Sequence, residues 1–599
     1  MPRSLFILAA LAGISAVGVA VADDTDFLPP NGYYASANGS GATLQSQLQS
    51  IISSGHIQRS YGDFRNSAAI HDQDPNNPSN ILLVYNRASV GSNWTSGTTW
   101  NREHVWPQSR QPGSVSNSSR GNLGDPHALR PANPNINNSR GNKPFGTPTS
   151  TGNFGSAGSY YFPGDSDKGD VSRSLFYSAT RYTGLSLTSG TLGSNQMGDL
   201  DALMVYHFDD VPDDFERRRN QAIYSQGLNP SYYTNNRNPY VDHPEFAWSV
   251  FVDNENDSTI TLAGGSASAD GSSVQSIDFG RAYVEEATPS LTQSITLDKA
   301  GQDGTYYEVT TVGPTTSDIT GRFNAFRTGG TDSTTFNVGL NASTATPGVQ
   351  GGTVIIDNLD VTNGSGMGDG AQDGNDLVLM SLSVLNHPVA SFADSGDLRS
   401  ATLDFGQLSL GAPTVDLGFE ITNLLTGGPT FAADLDLDSV VATSGDTGAF
   451  LIDPMTFGGL AQGATESGVA TALTAAAGVY EATYTLNLSG EDLPGEETQT
   501  LALTLRSEVV SAGPLPGDFN GDGVVDNGDL NLLLPNWGAS TSPLPSGWVG
   551  DPPIGAIVDN DELNRLLPNW GAGIDAVPEP TTAAVLVLSL ATVGCVRRR

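Results

Sequence analysis

The chain has almost no cysteine, since Cys595 is the only one among its 599 residues. Disulfides within the chain are therefore excluded, because a cross-link needs two cysteines. Charged residues are also scarce, at 15% of the sequence, whereas glycine (70) and proline (35) are abundant. This composition favours a loop-rich architecture dominated by β-strands over a bundle of long helices. A chain of this length exceeds what one hydrophobic core supports, so we expect about three to five domains.

Positive charge is scarce and unevenly distributed. The chain has 27 Lys and Arg against 64 Asp and Glu, a formal net charge of −37. Residues 23–250 hold 16 of the basic residues and 20 acidic ones, a net charge of −4, whereas residues 251–576 carry a net charge of −36. A strongly acidic protein repels nucleic acid and other polyanions. This argument against a nucleic-acid partner is much weaker for residues 23–250, which are nearly neutral. We expect the acidic remainder to act as a stalk.

Both ends of the chain resemble targeting segments. An apolar run ends in Ala-Val-Ala before two aspartates, which predicts a secretory signal peptide at 1–22, with an uncleaved membrane anchor as the alternative. Residues 574–599 contain Val-Pro-Glu-Pro, an apolar stretch and three final arginines. This tail resembles a PEP-CTERM sorting signal. The resemblance implies transient membrane association through the tail helix and export to the cell surface or beyond.

The middle of the chain has the pattern of β-strands. Short alternating runs such as STITLAG, TVIIDNLDV and ATYTLNLSG lie between Gly, Ser, Thr and Asp turns. The sequences IDFG and LDFG recur 126 residues apart, about the length of one sandwich domain. We therefore predict two tandem β-sandwich domains, at 256–390 and 391–512. They contain no polar cluster that suggests catalysis, so we expect spacers or weak adhesion modules.

Residues 517–538 and 550–571 form a gapless repeat with an offset of 33 residues. A calcium-binding loop needs oxygen ligands at fixed positions and a tight turn at its sixth residue. In the first copy Gly523 stands at the turn, whereas the second copy has lost this glycine and two ligands, so we expect weaker or no calcium binding there. The ligands of the first copy are Asp518, Asn520, Asp522, the carbonyl of Val524, Asp526 and Asp529, and the second copy keeps Asp551, Asp559 and Glu562.

The repeat resembles a type I dockerin, a family of paired calcium loops and helices. The resemblance implies a small helical domain at 513–573, bound Ca²⁺ and a cohesin-like protein partner. A calcium-stabilised domain without a partner is the alternative.

Residues suited to chemistry are concentrated in two stretches of the near-neutral part. WNREHVWP at 100–107 puts Glu103 beside His104, and GDPHALRPANPNINNSRGNKPFG at 124–146 adds amides, Arg and Lys. Hydrolysis of a phosphodiester needs a general base for the water and a cation for the phosphate oxygens. A neutral histidine beside an oxygen-ligated magnesium ion would supply both. Alone, the Glu-His pair is a weak signal, because a salt bridge of Glu103 with Arg102 and a buried histidine would have the same sequence.

Taken together, these two stretches closely resemble the endonuclease I family of secreted ββα-metal nucleases, as do KGDVSRSLFYSATRY and the later DDFERRRNQAIYSQ. The resemblance covers about 60–250 and implies an α+β nuclease domain, which we place at 23–255. It also implies Mg²⁺-dependent cleavage of DNA, and often of RNA, that leaves a 5′-phosphate and has little sequence preference.

The resemblance implies roles for individual residues. Glu103 and Asn137 would ligate Mg²⁺, and His104 would be the general base. The family also uses an arginine at the phosphate, and Asp125 and His127 could support the site or be purely structural. The candidates for the arginine are Arg140, which we place first, Arg102 and Arg120, and those for supporting contacts are Asp125, His127 and Asn142.

Other residues have simpler interpretations. The apolar spacing in 172–184 predicts a helix, and 200–226 predicts two helices separated around Pro212. We expect Trp100 and Trp106 to be core residues, His243 to be buried, and Arg217-Arg218-Arg219 to form ion pairs on a helix surface.

The sequence therefore predicts an exported, surface-targeted, Mg²⁺-dependent, non-specific endonuclease. One alternative is a surface adhesion or scaffold protein whose nuclease domain is inactive. Another is a metal-dependent phosphoesterase that acts on something other than nucleic acid.

Overall fold

The computed structural model describes residues 27–573 except 147–151, 255, 257, 269–270, 289, 362–372, 426–430, 454–455 and 512. The expected signal peptide and sorting tail lie outside the described residues. Within the part that is described, no helix is both long and apolar enough to span a membrane. The chain divides into two compact units, Met1–Asn386 and His387–Arg599.

The first unit begins with the part expected to be a nuclease, called the nuclease region below, in which helices surround short strands. The predicted helix at 172–184 and the two helices around Pro212 are confirmed, with shifted ends. The helices are α1 Gly41–Ser53, α2 Phe64–His71, α3 Pro134–Arg140, α4 Lys168–Arg181, α5 Leu200–Asp209, α6 Asp214–Tyr224, α7 Pro239–Asp242 and α8 Phe246–Phe251. The strands are β1 Gln73–Asp74, β2 Asn77–Leu82, β3 Ser89–Gly91, β4 Asn101–His104, β5 Leu129–Ala132, β6 Gly155–Ala157, β7 Tyr160–Phe162, β8 Ser186–Leu187 and β9 Gln196–Met197.

Helix α4 is the centre of this region, because nearly all of its residues are buried. Leu175 and Phe176 face the apolar core, while polar residues on the same helix form buried ion pairs. Trp100 and Trp106 are buried as expected. The run of three arginines differs from the expectation, since Arg217 pairs with Asp214 near the surface but Arg219 is buried against Asp72 at 2.7 Å.

Two β-sandwich-like regions follow. In the first, one sheet has the order β10-β13-β17-β15 and the other β11-β12-β19-β18-β14-β16. Its strands are β10 Thr259–Leu262, β11 Ser266–Ala267, β12 Ser273–Tyr283, β13 Thr292–Ala300, β14 Thr305–Val312, β15 Thr315–Ser317, β16 Gly321–Phe326, β17 Asp332–Leu340, β18 Gly348–Asn358 and β19 Asp376–Leu385.

The second sandwich-like region lies in the second unit. Its sheets have the orders β20-β22-β26-β24 and β21-β28-β27-β23-β25. Its strands are β20 Ala390–Ser391, β21 Ser400–Ser409, β22 Val415–Asn423, β23 Leu435–Gly445, β24 Phe450–Ile452, β25 Phe457–Leu460, β26 Thr465–Ala472, β27 Gly478–Ser489 and β28 Gln499–Val510.

The IDFG and LDFG repeat marks the same β-bulge in both regions. An early strand pairs in parallel with the last strand in each case, β12 with β19 and β21 with β28, and the register shifts at the repeat. Asp278 accepts a hydrogen bond from the Gly280 N–H at 2.9 Å, and Asp404 accepts one from the Gly406 N–H at 2.8 Å. Both glycines have positive φ angles, +85° and +68°, which a bulge of this kind requires.

The first sandwich shares a hydrophobic core with the nuclease region. Tyr306, at the start of β14, is fully buried among nuclease residues, and its hydroxyl donates to the His207 carbonyl at 2.6 Å. Arg322 forms an ion pair with Glu245, which is buried. This sandwich, expected to be a spacer or a weak adhesion module, therefore contributes residues to the apolar core of the nuclease region.

The second unit ends in a small helical region with an acidic cluster. Its helices are α9 Asn527–Leu533 and α10 Asn560–Leu566. The two copies of the repeat are joined by a pair of equivalent backbone hydrogen bonds, one from each copy to the other. The Gly538 N–H donates to the Val558 carbonyl at 2.8 Å, and the Gly571 N–H donates to the Val525 carbonyl at the same distance.

Candidate active site

The candidate site is built on two antiparallel strands and a helix. Strands β4 and β5 pair so that Glu103 lies opposite Arg130. Helix α3 begins one residue after β5 ends, and the Asn133 side chain caps it by accepting from two of its first N–H groups. These elements line an open pocket of about 270 Å³. Its lining residues include Tyr61, Arg102, Glu103, His104, Asn137, Asn138 and Asn142.

Glu103 is almost fully buried at the pocket floor, with 2% of its surface exposed. The Tyr85 hydroxyl donates to its Oε1 at 2.7 Å, and Arg140 Nη1 lies 3.1 Å from the same oxygen. Burial raises the pKa of Glu103, whereas the arginine and the tyrosine lower it. Because both contacts are to Oε1, the other carboxylate oxygen stays available for a cation.

His104 has one ring nitrogen assigned by its surroundings. Its Nε2 lies 3.1 Å from the Leu123 carbonyl, which can only accept a hydrogen bond, so Nε2 carries the proton. The ring stacks on Tyr61 with centroids 4.8 Å apart. Burial lowers the pKa of His104 to about 4, with smaller contributions from Arg102 and Arg140. The imidazole is therefore neutral at ordinary pH, and Nδ1 holds a free lone pair.

Asn137 lies on α3 and faces the same pocket. Its amide nitrogen donates to Asn101 Oδ1 at 2.8 Å, so the oxygen end of the amide is free to bind a cation. A carboxylate and an amide oxygen in one pocket are the ligand types that magnesium prefers, with water completing the shell. The residues present therefore fit a Mg²⁺ ion.

Arg140, the arginine placed first for the phosphate, is among the residues that line the pocket. Its side chain is fully buried, and its guanidinium donates to the His104 carbonyl at 3.1 Å and to the Val105 carbonyl at 2.8 Å while pairing with Glu103. Sequence reasoning could not foresee this, because burial of an arginine leaves no mark in a single sequence. These contacts hold the end of β4 and the Glu103 carboxylate in place.

Arg102 also lines the pocket, and its side chain is more exposed than that of Arg140. Its guanidinium lies 3.5 Å from the centre of the Tyr61 ring and donates to the Tyr61 carbonyl at 2.6 Å. Tyr61 thus lies between Arg102 and His104. Arg120 lies outside the pocket lining and donates to the Gln58 carbonyl.

Of the three candidates for supporting contacts, one lines the pocket and two do not. Asn142 lines the pocket, and its amide contacts Ser109 at 3.4 Å. Asp125 instead accepts hydrogen bonds from two buried tyrosine hydroxyls, each at 2.7 Å. His127 contacts the Asn236 carbonyl at 3.2 Å. Neither Asp125 nor His127 is among the residues that line the pocket.

Three contributors to the site were not identified from the sequence: Tyr61, Tyr85 and the Leu123 carbonyl. All three lie outside the two motif stretches, 100–107 and 124–146, and their own surroundings in the sequence do not indicate a role in the site. An aromatic residue with a polar end is enriched beside buried polar groups, but this signal does not single out one tyrosine among the 18 in the chain.

The acidic cluster of the second unit is a separate candidate metal centre. Asp518, Asp522 and Asp529 each offer a carboxylate oxygen within 4.8 Å of the others. Three of the five side chains expected as ligands of the first loop therefore lie close enough together to hold a metal ion. Asp526 and Asp529 also cap α9, as Asp559 and Glu562 cap α10.

Comparison with known proteins identifies the nuclease region. A family model for Endonuclease I matches residues 40–245, which include every residue that lines the pocket. The extracellular ribonuclease of Bacillus amyloliquefaciens is 39% identical over 242 residues, 37% of this chain and 78% of that protein. The extracellular ribonuclease of Bacillus subtilis (strain 168) is 39% identical over 235 residues, with the same coverage of 37% and 78%. The chain is a phosphodiester-hydrolysing nuclease, and it belongs to the Endonuclease I family.

Solved structures add little to this. CfaE, the adhesive subunit of the CFA/I fimbria of enterotoxigenic Escherichia coli, is 6% identical and covers 38% of this chain and 82% of its own, with a TM-score of 0.19. A TM-score this low supports no argument about fold or function.

Proposed function

We propose that the protein is an exported, Mg²⁺-dependent endonuclease that hydrolyses DNA and RNA with little sequence preference and leaves 5′-phosphates. The observation that carries the proposal is the convergence of Glu103, Asn137 and neutral His104 on one pocket. The pocket lining offers groups suited to holding phosphates, and phosphate contacts carry no sequence information, which fits broad specificity. Relatives named extracellular ribonucleases support RNA as one substrate.

Glu103 and Asn137 would hold the magnesium ion. When bound, Mg²⁺ supplies positive charge that stabilises the phosphate oxygens in the transition state. Tyr85 and Arg140 keep the Glu103 carboxylate in one orientation by contacting Oε1. The ββα arrangement of β4, β5 and α3 thus serves as the metal-binding motif of the site.

His104 would be the general base. Its Nε2–H is donated to the Leu123 carbonyl, so Nδ1 is the nitrogen that takes a proton from the attacking water. Stacking on Tyr61 limits rotation of the imidazole. A base held in one tautomer and one orientation loses little entropy when the water is positioned.

Arg102, rather than Arg140, would hold the substrate phosphate. It lies at the pocket beside the base and keeps its guanidinium plane on Tyr61. Arginine is suited to this task because its planar fork can contact two phosphate oxygens at once.

The remaining parts of the chain would serve export and attachment. The proposal includes a signal peptide at 1–22, a dockerin-like calcium module at 513–573 with a cohesin-like partner, and a PEP-CTERM tail at 574–599. Trp537 and Trp570 occupy equivalent repeat positions and are 44% and 45% exposed, which suits a protein-binding surface. An adhesion or scaffold protein with an inactive nuclease domain is the competing function.

Cleavage assays with the purified full-length protein test the nuclease proposal. We expect degradation of plasmid DNA and of RNA in Mg²⁺, abolition by EDTA, and much slower hydrolysis of a small nitrophenyl phosphodiester. Asn137→Ala should demand more Mg²⁺ for the same rate. Asn135→Ala, an exposed position on the same helix, is the matched control and should behave as wild type. No cleavage of either nucleic acid in any divalent metal would favour the scaffold function.

A further inference from the structure

The two calcium-type loops of the C-terminal repeat have the same backbone plan but different means of charge balance. In the first loop, Asp518 accepts hydrogen bonds from the N–H groups of Gly521 at 2.7 Å and Gly523 at 2.9 Å. Its carboxylate lies within 4.8 Å of those of Asp522 and Asp529. Three converging carboxylates without a cation would repel one another, so this loop fits a calcium ion.

The second loop does not fit calcium. Pro553 and Gly555 stand where the first loop has Asn520 and Asp522, so two side-chain oxygens are missing. Glu562 accepts the N–H groups of Ile554 at 2.6 Å and of Asp559 at 2.7 Å. Asp529 of the first loop accepts backbone N–H groups in the same way, so the missing side-chain oxygens are what distinguishes the second loop. A single further carboxylate, Asp551, remains buried at the first position of the loop, with 2% of its surface exposed.

Arg565 supplies the positive charge that Asp551 needs. Its Nη2 lies 2.6 Å from Asp551 Oδ1, and its Nη1 donates to the Pro552 carbonyl at 2.9 Å. The equivalent residue of the first copy is Leu532, so the arginine occurs only in the copy that has lost its ligands. A buried carboxylate without a cation or donors is strongly destabilising, and a guanidinium contact relieves this.

We propose that Arg565 takes the place of calcium in the second loop, so that the repeat binds one Ca²⁺ and closes its second half with an internal ion pair. The inference rests on the proposed calcium module for its first loop only. The Gly517 N–H donates to the other oxygen of Asp551 at 2.7 Å, so the ion pair also fixes the start of the first loop. The second half should thus keep its structure when calcium is removed.

Calcium counting on the full-length protein provides the first test. Equilibrium dialysis with radioactive calcium gives the number of ions bound by wild type, Asp518→Asn and Asp551→Asn. We expect Asp518→Asn to bind one ion fewer than wild type and Asp551→Asn to bind the same number. Loss of an ion in Asp551→Asn would overturn the proposal.

Hydrogen exchange provides a second test that does not depend on calcium binding. In EDTA and in Ca²⁺, Arg565→Leu should raise the exchange rate of peptides covering 551–562 by about tenfold, the loss expected for one charge-assisted hydrogen bond. Arg565→Lys keeps the charge and should restore part of the protection. Arg506→Leu, which removes a half-exposed arginine from the second sandwich, is the control.

The two tests separate the proposals. If Asp518→Asn also loses no calcium, the proposed calcium module is wrong, whereas faster exchange in Arg565→Leu still supports the ion pair. Unchanged exchange in Arg565→Leu would overturn the role of Arg565 whatever the calcium count.

Discussion

Replacing Tyr306 tests whether the first sandwich completes the core of the nuclease region. Tyr306→Ala removes a fully buried ring that lies 5.2 Å from Phe208, together with the hydroxyl bonded to the His207 carbonyl. Truncation of a buried aromatic side chain costs about 3–5 kcal/mol. The lost hydrogen bond adds about 1 kcal/mol, so the free energy of unfolding should fall by about 4–6 kcal/mol. Tyr306→Phe should lose only the smaller part.

Urea titration measures this effect on the nuclease region itself. The readout is the cleavage activity that remains in urea, because tryptophan fluorescence would also report Trp537, Trp548 and Trp570 of the C-terminal repeat. Tyr484→Ala, which truncates a buried tyrosine of the second unit, is the control and should leave the activity midpoint in place. The reasoning would be refuted if Tyr306→Ala shifted the activity midpoint no more than this control.

Three further changes test separate contacts. Arg140→Met keeps the side-chain volume but leaves Glu103 buried without its cation, which should cost about 3–5 kcal/mol in urea unfolding and raise the Mg²⁺ concentration needed for half-maximal cleavage. In Glu245→Gln the ion pair with Arg322 is lost. The surroundings of Glu245 lower its pKa to about 2 from 4.5, so its contribution of about 3 kcal/mol is present above pH 4.5 and disappears as the pH falls towards 2. The difference in stability from wild type should therefore shrink over that range in urea titrations at graded pH. Tyr61→Leu removes the ring between Arg102 and His104 and should lower kcat and raise KM together, whereas Tyr61→Phe should retain both values.

The candidate reactive residues could be found from the sequence because they lie close together in it. Glu103 and His104 lie on one strand and Asn137 on a nearby helix, so short motifs in the sequence are enough to recognise them. Tyr61 and Tyr85 reach the same pocket from outside these stretches, and no spacing rule connects them to it. The burial of Arg140 could not be predicted for a different reason, since a buried arginine that positions other groups and an exposed one that binds phosphate look identical in a sequence motif.

The shared core could have been foreseen in part. In β14, Tyr306 faces the nuclease region and Tyr307 faces the sandwich interior, where it stacks on Phe326 at 5.2 Å. A strand with apolar residues at consecutive positions is buried on both faces. The two consecutive tyrosines therefore indicate that β14 is buried on both faces, but the sequence does not show which part of the chain covers the second face.

The most direct test of the central claim is the single-turnover cleavage rate of RNA and of plasmid DNA by wild type and His104→Ala in saturating Mg²⁺. A general base contributes about 10²–10⁴-fold to the rate, so the variant should be slower by at least about 10²-fold on both substrates. His387→Ala, in the second unit, controls for the loss of a histidine and should cleave as wild type does. A wild-type rate in His104→Ala would contradict the assignment of the base and with it the account of the site.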